Sequence, residues 1–448
     1  MSHPFLPLTD EDRQQMLRHI GVESIEELLE AIPEQLRLRE PLPLPPQLSE
    51  AETYELLREL AARNAGAHTH ICFMGAGAYD HYVPAVVKAL ISRGEFQTAY
   101  TPYQAEVAQG TLQSIYEFQS MLCELTGMDV ANASLYDAGG ALAEACFLAS
   151  AATGRKRIIV AGEVHPHYRR VAQTVCAGRG ISIESLIAED GTIPYEELEA
   201  QVREDTAAVV VQQPNFYGTV DDVAPAGELA HRVGALFVVV VDPISLGLLQ
   251  PPGAYGADVV VGEGQPLGIP LSLGGPYLGL FAARRQWIRL MPGRIAGATE
   301  DAEGRRGFVL VLQTREQQIK RERATSNICT NQGLMMLAAT IYLAWVGKQG
   351  IGELARQCLQ RAHYLAERIA ELPGYELPIG KPFFREFLVR TPVEPEEIVR
   401  RGIEHGFLAG VPTRRVGARL QGLLIALTER RTREQMDAFV EFLARWAR

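Results

Sequence analysis

Polar residues follow two of the apolar runs in this chain, at the places where buried strands would end. Asp242 comes directly after Val238–Val241. A carboxylate there can hold a protonated heterocyclic nitrogen, or it can cap the turn that begins at Pro243. His165 follows Arg157–Ala161 and can stack on or polarise a ligand, although a single histidine is more often a hydrogen-bonded loop residue. Both are candidates for a ligand site at one sheet edge.

Two glycine-rich segments raise the question of anion binding. Gly139 and Gly140 precede a small-residue helix predicted over Leu142–Ala152, so their backbone N–H groups can approach a phosphate or a carboxylate. A tight loop that only packs closely would have the same sequence. Gly75–Tyr79 contains half of a dinucleotide fingerprint, but no strong strand is predicted before it and the third glycine is missing. That segment therefore does not predict nucleotide binding.

The distribution of lysine excludes one kind of covalent chemistry. The chain has five lysines among 43 basic residues, and none lies between Arg157 and Ile319. An enzyme that forms a Schiff base at this edge would need a lysine after a strand such as the one that ends at Val261, and the segment Gly262–Gly268 contains none. A Schiff base with a lysine is therefore excluded at the carboxyl end of this strand. The lysines are Lys88, Lys156, Lys320, Lys348 and Lys381.

The apolar pattern predicts the scaffold that must position these residues. Short runs rich in β-branched residues alternate with helical stretches such as Pro194–Arg203 and Pro225–Val233, which is typical of a mainly parallel sheet covered by helices. The last two runs leave no room for a crossover helix, so we expect them to pair antiparallel. The runs are Arg157–Ala161, Ala207–Gln212, Leu236–Val241, Asp258–Val261 and Tyr277–Ala282.

Helical segments flank this α/β region. Capping pairs that begin at Thr9, Ser24 and Ser49 predict short N-terminal helices, and the prolines of Pro41–Pro46 predict an extended segment. We expect an N-terminal helical arm over residues 1–70, a large α/β domain over 71–335 and a small C-terminal α+β domain over 336–448. The predicted C-terminal elements are a helix near Gln332–Val346, strands at Glu386–Val389 and Gly422–Leu427, and a helix over Thr432–Ala447.

Composition excludes several classes of protein. A formal net charge of −11 argues against a nucleic-acid surface, which would be basic. No apolar run is long enough to span a bilayer, and the start Met1-Ser2-His3-Pro4 lacks the pattern of a signal peptide, so we expect a cytoplasmic protein. The cysteines have no metal-binding or disulfide spacing, which predicts free thiols and no metal site. They are Cys72, Cys123, Cys146, Cys176, Cys329 and Cys358.

Several longer motifs resemble one known family. The chain is similar to the glycine decarboxylase P-protein of the glycine cleavage system, in the N-terminal-half form called subunit 1 where the enzyme is split in two. The resemblance extends over nearly the whole chain. The segments that carry it are Phe73–Pro84, Thr98–Glu106, Met291–Ile295, Leu312–Gln317 and Arg323–Gln332.

The resemblance implies a fold, an activity and two partners. The fold is the aminotransferase-like fold of type I pyridoxal-phosphate enzymes, in which two homologous halves form one active site. A lysine-bearing partner subunit is expected to hold the pyridoxal phosphate, in a complex with two copies of each chain. The complex decarboxylates glycine and transfers the aminomethyl group to the lipoyl arm of the H-protein.

The same resemblance assigns a degenerate cofactor pocket to this chain. Gln265 occupies the place of the cofactor lysine, Asp242 that of the pyridine partner, and Gly139 and Gly140 that of the phosphate loop, with His165 beside them. Because the lysine is missing, we expect these residues to be retained for structure, and we expect no catalytic residue in this chain's own pocket.

Two polar segments are the better candidates for a contribution to the partner's active site. One contains Tyr100, Tyr103 and Gln104. The other precedes the long predicted helix, so its residues could instead form an elaborate helix cap. Its candidate residues are Thr325, Ser326, Asn327, Thr330 and Asn331.

Two other functions compete with this interpretation. An autonomous pyridoxal-phosphate enzyme would need an out-of-place amine such as Lys320, but that residue falls in the charged run Arg315–Arg323, which is typical of a solvated helix face. A non-catalytic scaffold that stabilises the partner or docks the H-protein is harder to exclude, because a degenerate half need do nothing else.

Overall fold

The computed structural model describes Phe5, residues 7–38, Glu40 and residues 42–447. Met1–Pro4, on which the prediction of no signal peptide rests, and Pro41 of the proline-rich segment lie outside the described residues. The chain divides into two compact units, Met1–Asn64 and Ala65–Arg448.

The first unit consists of short helices with the predicted capping pairs. Thr9, Ser24 and Ser49 each accept a hydrogen bond from the backbone three residues later, so the predicted helix starts are confirmed. Residues 42–49 form neither helix nor strand, as the prolines predict. The helices are α1 (Asp10–Ile20), α2 (Ile25–Leu28) and α3 (Glu50–Ala62).

The second unit contains all the strands of the described chain. They are β1 (Ile71–Cys72), β2 (Val130–Ala131), β3 (Arg157–Ala161), β4 (Ser182–Leu186), β5 (Thr206–Gln213), β6 (Leu236–Val241), β7 (Val259–Glu263), β8 (Gly279–Ala283), β9 (Ile295–Glu300), β10 (Arg306–Val311), β11 (Glu386–Val389), β12 (Phe407–Leu408), β13 (Val411–Pro412) and β14 (Leu423–Ala426).

Its helices follow the same chain order. They are α4 (Ala85–Ile91), α5 (Gly94–Gln97), α6 (Gln109–Thr126), α7 (Ala138–Thr153), α8 (Pro166–Ala177), α9 (Tyr195–Gln201), α10 (Ala224–Arg232), α11 (Gln317–Lys320), α12 (Gly333–Ala370), α13 (Pro395–Glu404), α14 (Thr413–Val416) and α15 (Arg433–Leu443).

A seven-stranded sheet forms the frame of the second unit. Its strand order is β2-β8-β7-β6-β5-β3-β4, with parallel pairing from β7 to β4 and antiparallel pairing of β8 with both neighbours. The predicted antiparallel pairing of the last two apolar runs is confirmed, with Val261 opposite Phe281. The parallel order brings the carboxyl ends of β3, β5, β6 and β7 to one edge.

Apolar side chains cover both faces of this sheet. In β6, Val239 joins a core that includes Leu112 of α6 and Met336 of α12. Its neighbours in the strand, Val238 and Val240, point into the opposite core with α7 and α8. This burial on both faces explains why the strand is a continuous valine run instead of an alternating one.

The long helix α12 belongs to the protein core. Within the described chain it is the one helix whose length and composition alone would allow it to cross a membrane. Its backbone leaves helical geometry at Gly347, and apolar residues on both sides of that break, such as Met336 and Ile369, are buried. The pattern is that of a core helix.

A smaller sheet, β11-β14-β13, lies in the C-terminal part of the second unit. The segment Ile71–Phe73 packs there too: β1 pairs in parallel with β12, and Phe73 stacks on Phe439 with ring centroids 4.2 Å apart. The predicted domain boundaries at residues 70 and 335 stay predictions. This contact connects the start of the predicted large domain with the predicted small one.

Truncation of Phe73 should weaken the C-terminal core. The side chain is fully buried, so Phe73→Ala is expected to lower the free energy of unfolding by about 3–5 kcal/mol, measured by chemical denaturation. Tyr100→Ala, which removes an aromatic ring that is 88% exposed, should change it by less than about 0.5 kcal/mol. Equal effects of the two changes would contradict this packing.

Candidate active site

The predicted ligand residues Asp242 and His165 meet in one cavity at the carboxyl edge of the large sheet, whereas Gly139, Gly140 and Gln265 lie outside its lining. A cavity there is lined by Asp242 and His165, together with Tyr79, Tyr168, Glu263 and Arg385. It encloses about 30 Å³, room for about two water molecules. The sequence therefore located the edge correctly, but the cavity is nearly filled by protein.

Asp242 is paired within the chain. Its Oδ2 lies 2.6 Å from Nη2 of Arg385, whose side chain is almost fully buried. Its Oδ1 accepts from the backbone N–H of Ile244 at 3.0 Å, which is the turn-capping role considered from the sequence. The carboxylate that would face a heterocyclic nitrogen is thus already neutralised by a guanidinium.

Gln265 joins two loops through its amide. Its Oε1 accepts from the Tyr79 N–H at 2.8 Å, and its Nε2 donates to the carbonyls of Tyr79 at 3.1 Å and Ile269 at 2.7 Å. A lysine could not accept the Tyr79 N–H. Gln265 therefore holds the loop of Tyr79 against the strand end.

Two side-chain carboxyl groups occupy the N-terminus of α7, where Gly139 and Gly140 lie. Asp137 caps the helix by accepting from Gly140 N–H at 2.6 Å. Glu263 accepts from Ala138 N–H at 3.2 Å, and burial raises its pKa to about 8. These contacts use N–H groups that could otherwise bind an anion.

His165 is a capping residue at the start of α8. Its Nδ1 accepts from His167 N–H at 3.1 Å, and its Nε2 lies 2.9 Å from the carbonyl of Ala76, so the neutral ring carries its proton on Nε2. Burial lowers its pKa to about 4. The ring stacks on Tyr168 with centroids 4.1 Å apart, which leaves this face closed to a ligand.

Sequence reasoning missed the residues that close the cavity from the C-terminal side. Glu386 accepts from Ala76 N–H at 2.6 Å and from Tyr79 Oη at 2.8 Å, and burial raises its pKa to about 7. A Cβ at Gly75 would lie 2.1 Å from the Glu386 carboxylate, so this position requires glycine. In the sequence, the charged pair Arg385-Glu386 at the start of an apolar strand is the pattern that could have indicated buried charges here.

A cluster near this cavity has metal-ligand types. His81, Cys358 and Glu429 bring ligand atoms within 4.8 Å of one another. His81 is already bonded to Glu429 at 2.7 Å and contacts Arg385, and burial raises the pKa of Cys358 to about 12. These contacts occupy both ring nitrogens of His81, which accounts for the cluster without a metal ion. The absence of a metal site stays a prediction.

The segment Thr325–Asn331 is a loop fixed by buried anchors. Asn331 Nδ2 donates to Ala133 O and Ser134 Oγ, both at 3.0 Å. Ser326 is buried, whereas Asn327 and Thr330 are exposed. Helix α12 begins with Gln332 as N-cap and no side-chain capping bond, so the alternative of an elaborate cap is wrong.

The segment Tyr100–Gln104 also presents side chains to the surface. Tyr100 is 88% exposed and Tyr103 is 50% exposed. Gln104 is exposed as well. These side chains are available to a neighbouring molecule, and whether they reach a partner's active site stays a prediction.

The charged run Arg315–Arg323 is not a continuous solvated helix face, which corrects the interpretation from the sequence. Arg315 turns inward and donates to the carbonyls of Met291 and, at 3.0 Å, Gly293. Within this run, only Gln317–Lys320 is α-helical. Lys320 is exposed, and among the described residues none that line the cavity is a lysine.

The fold and this sheet edge define the chain as an aminotransferase-like protein of the type I pyridoxal-phosphate architecture. The structure of sphingosine-1-phosphate lyase from Burkholderia pseudomallei has the same fold, with a TM-score of 0.65 and 14% identity over 92% of this chain and 93% of that one. A NifS-like protein has a TM-score of 0.60 and 15% identity over 84% and 98% of the two chains.

Full-length relatives identify the family. The family model described as glycine cleavage system P-protein matches residues 3–443. A probable glycine dehydrogenase (decarboxylating) subunit 1 from Prosthecochloris aestuarii is 53% identical and covers 98% of this chain and 99% of its own. A crystal structure of glycine decarboxylase (P-protein) in inhibitor-bound form has a TM-score of 0.89 and 44% identity, with 100% of both chains covered. The chain belongs to the glycine cleavage system P-protein family, which confirms the resemblance, the fold and the role as a subunit of this enzyme.

This family depends on pyridoxal phosphate, but the cavity of this chain does not fit it. Gln265, which the resemblance places at the lysine position, is not an amine, and its amide is bonded to the backbone of Tyr79. Asp242, the expected partner of the ring nitrogen, is paired with Arg385, and the N–H of Gly140 in the expected phosphate loop donates to Asp137. The open volume of about 30 Å³ is smaller than a molecule of pyridoxal phosphate.

The buried Glu386 should make stability depend on pH. Its carboxyl holds a proton up to about pH 7 in the folded chain, against an ordinary pKa of 4.5 when unfolded. Between these values the folded state binds more protons, so the free energy of unfolding falls as pH rises from about 5 to 7.

Glu386→Gln should remove this contribution, since its amide keeps the bond from Ala76 and can donate to Tyr79. The stability of the variant relative to the natural chain is expected to grow by about 2.5 kcal/mol between pH 5 and 8, from about 1.4 kcal/mol per pKa unit. Chemical denaturation at each pH measures it. A constant difference would show that Glu386 is charged throughout.

Proposed function

We propose that this chain is the lysine-less half of a two-subunit glycine decarboxylase, and that a homologous partner holds both the pyridoxal phosphate and the reactive lysine. The observation that carries the proposal is Gln265, whose amide is committed to the backbone of Tyr79 at the place where an amine is needed. The complex, with two copies of each chain, decarboxylates glycine and passes the aminomethyl group to the lipoyl arm of the H-protein. We also propose the cytoplasm as its location, from the sequence alone.

The chain's contribution to the reaction lies on its surface. Asn327, Thr330 and Tyr100 are exposed polar side chains on two fixed loops. Because the loops are already held by contacts within the chain, mainly the exposed side chains would lose freedom when a partner binds. We propose that these loops complete the active site of the lysine-bearing subunit.

A scaffold function remains the second candidate, and the closed cavity favours it. A chain whose own site is filled by Arg385 and Gln265 could serve only to stabilise the partner or to dock the H-protein. The two functions differ in what point changes on the exposed loops do to turnover.

Reconstitution of the enzyme separates these functions. Exchange of carbon dioxide into glycine would be measured with lipoylated H-protein and added pyridoxal phosphate, for this chain, the lysine-bearing partner and their mixture. We expect activity in the mixture alone. Full activity of the partner alone would leave only a scaffold role, and activity of this chain alone would overturn the argument from the missing lysine.

Changes at the exposed loops should lower turnover without unfolding the chain. Asn327→Ala and Tyr100→Phe are each expected to reduce kcat of the assembled complex by about tenfold, the scale of a lost positioning contact. Gln113→Ala, which alters an exposed amide on α6, serves as the matched control and should retain normal turnover. Normal kinetics in both loop variants would favour the scaffold.

A further inference from the structure

Arg294 connects the two exposed loops from underneath. It lies just before β9, in the segment Met291–Ile295, and its side chain is only 5% exposed. Its Nη2 donates to the carbonyl of Cys329 at 2.6 Å and lies 3.4 Å from Tyr103 Oη. One guanidinium therefore contacts both Tyr100–Gln104 and Thr325–Asn331.

Two further contacts hold the guanidinium in place. Its Cζ lies 5.6 Å from the centroid of the Tyr103 ring, in cation–π range. Its Nε faces Oε2 of Glu316 at 3.7 Å, and that carboxylate side chain is also only 5% exposed. The two buried side chains thus form an ion pair beside the contacts of Arg294 with the loops.

We propose that Arg294 is a positioning residue that sets the geometry of the two partner-facing loops relative to each other. The proposal rests on the proposed function, in which those loops complete the partner's active site. The loop Thr325–Asn331 has further anchors in Asn331 and in Arg179, which donates to Thr325 O at 2.6 Å. Arg294 is the residue that extends this anchoring to Tyr103.

The chemistry requires arginine at this position. A planar guanidinium can donate a hydrogen bond to the carbonyl of Cys329 while its face remains near the ring of Tyr103. The ammonium of lysine is a point charge without that fork, so Arg294→Lys would keep the attraction to Glu316 but lose the fixed relation between the loops. Arg294→Ala would remove this guanidinium from beside Glu316, which would keep Arg315 as a neighbouring cation and Gln318 as a donor at 3.1 Å.

Hydrogen exchange of the isolated chain tests the coupling without the partner. In Arg294→Lys and Arg294→Ala we expect faster amide exchange across both residues 98–107 and residues 325–332, with exchange in β6 and β7 unchanged. Arg289→Ala removes an exposed arginine five positions earlier and is the matched control. Unchanged exchange, or faster exchange in one loop alone, would overturn the coupling.

Kinetics of the reconstituted complex test the role in catalysis. Arg294→Lys is expected to lower kcat by about tenfold or more while KM for glycine changes little, because glycine binds at the partner's cofactor. Arg289→Ala should match the natural chain. Normal kcat in Arg294→Lys, or a loss confined to the affinity for the partner subunit, would overturn the positioning role.

The two measurements separate failure of this proposal from failure of the proposed function. If the partner alone is fully active, the proposed function fails and the catalytic role of Arg294 fails with it, whatever the exchange result. If the mixture is active and Arg294→Lys is normal, only the positioning role is wrong. Should Arg294→Ala fail to fold by circular dichroism, the Arg294→Lys result decides in both experiments.

Discussion

The buried ion pair between Asp242 and Arg385 is the contact on which the rest of the site depends. It joins the carboxyl end of β6 to the residue just before β11, and so connects the large sheet with the small one. Removing two charges from water is costly unless other contacts compensate. Here the Arg385 guanidinium also lies 3.6 Å from the centroid of the Tyr79 ring. This contact helps to hold the loop of Tyr79 over the sheet edge.

Everything else at this edge is consistent with a closed cavity. Gln265 binds the backbone of Tyr79, Asp137 caps α7, and His165 caps α8 while it stacks on Tyr168. Gln265, Asp137 and His165 thus use these groups for hydrogen bonds within the chain. These bonds stabilise the fold at the edge where the resemblance places a cofactor.

The proposed function places this chain's contribution to the reaction on its surface. The loops around Tyr100 and Asn327 are exposed, yet they are tied to the core through Arg294 and Asn331. A subunit with a filled pocket can still affect a reaction in its neighbour if it presents rigid side chains there. The side chains of Arg294 and Asn331 therefore serve to keep these loops rigid.

Sequence alone determined five strands of the large sheet (β3 and β5 to β8), the helix caps and the missing amine, whereas β2 and β4 of that sheet were not predicted. Valine runs and capping pairs such as Thr9 and Asp12 depend on neighbours a few residues away, and the absence of lysine needs no structure at all. The family resemblance likewise rests on linear motifs. Only the tertiary structure decided that Arg385 neutralises Asp242 and that Arg294 joins two loops. Such contacts require a donor and an acceptor within about 3 Å of each other. The residues involved are far apart along the chain, so no local sequence pattern predicts that they will be in contact.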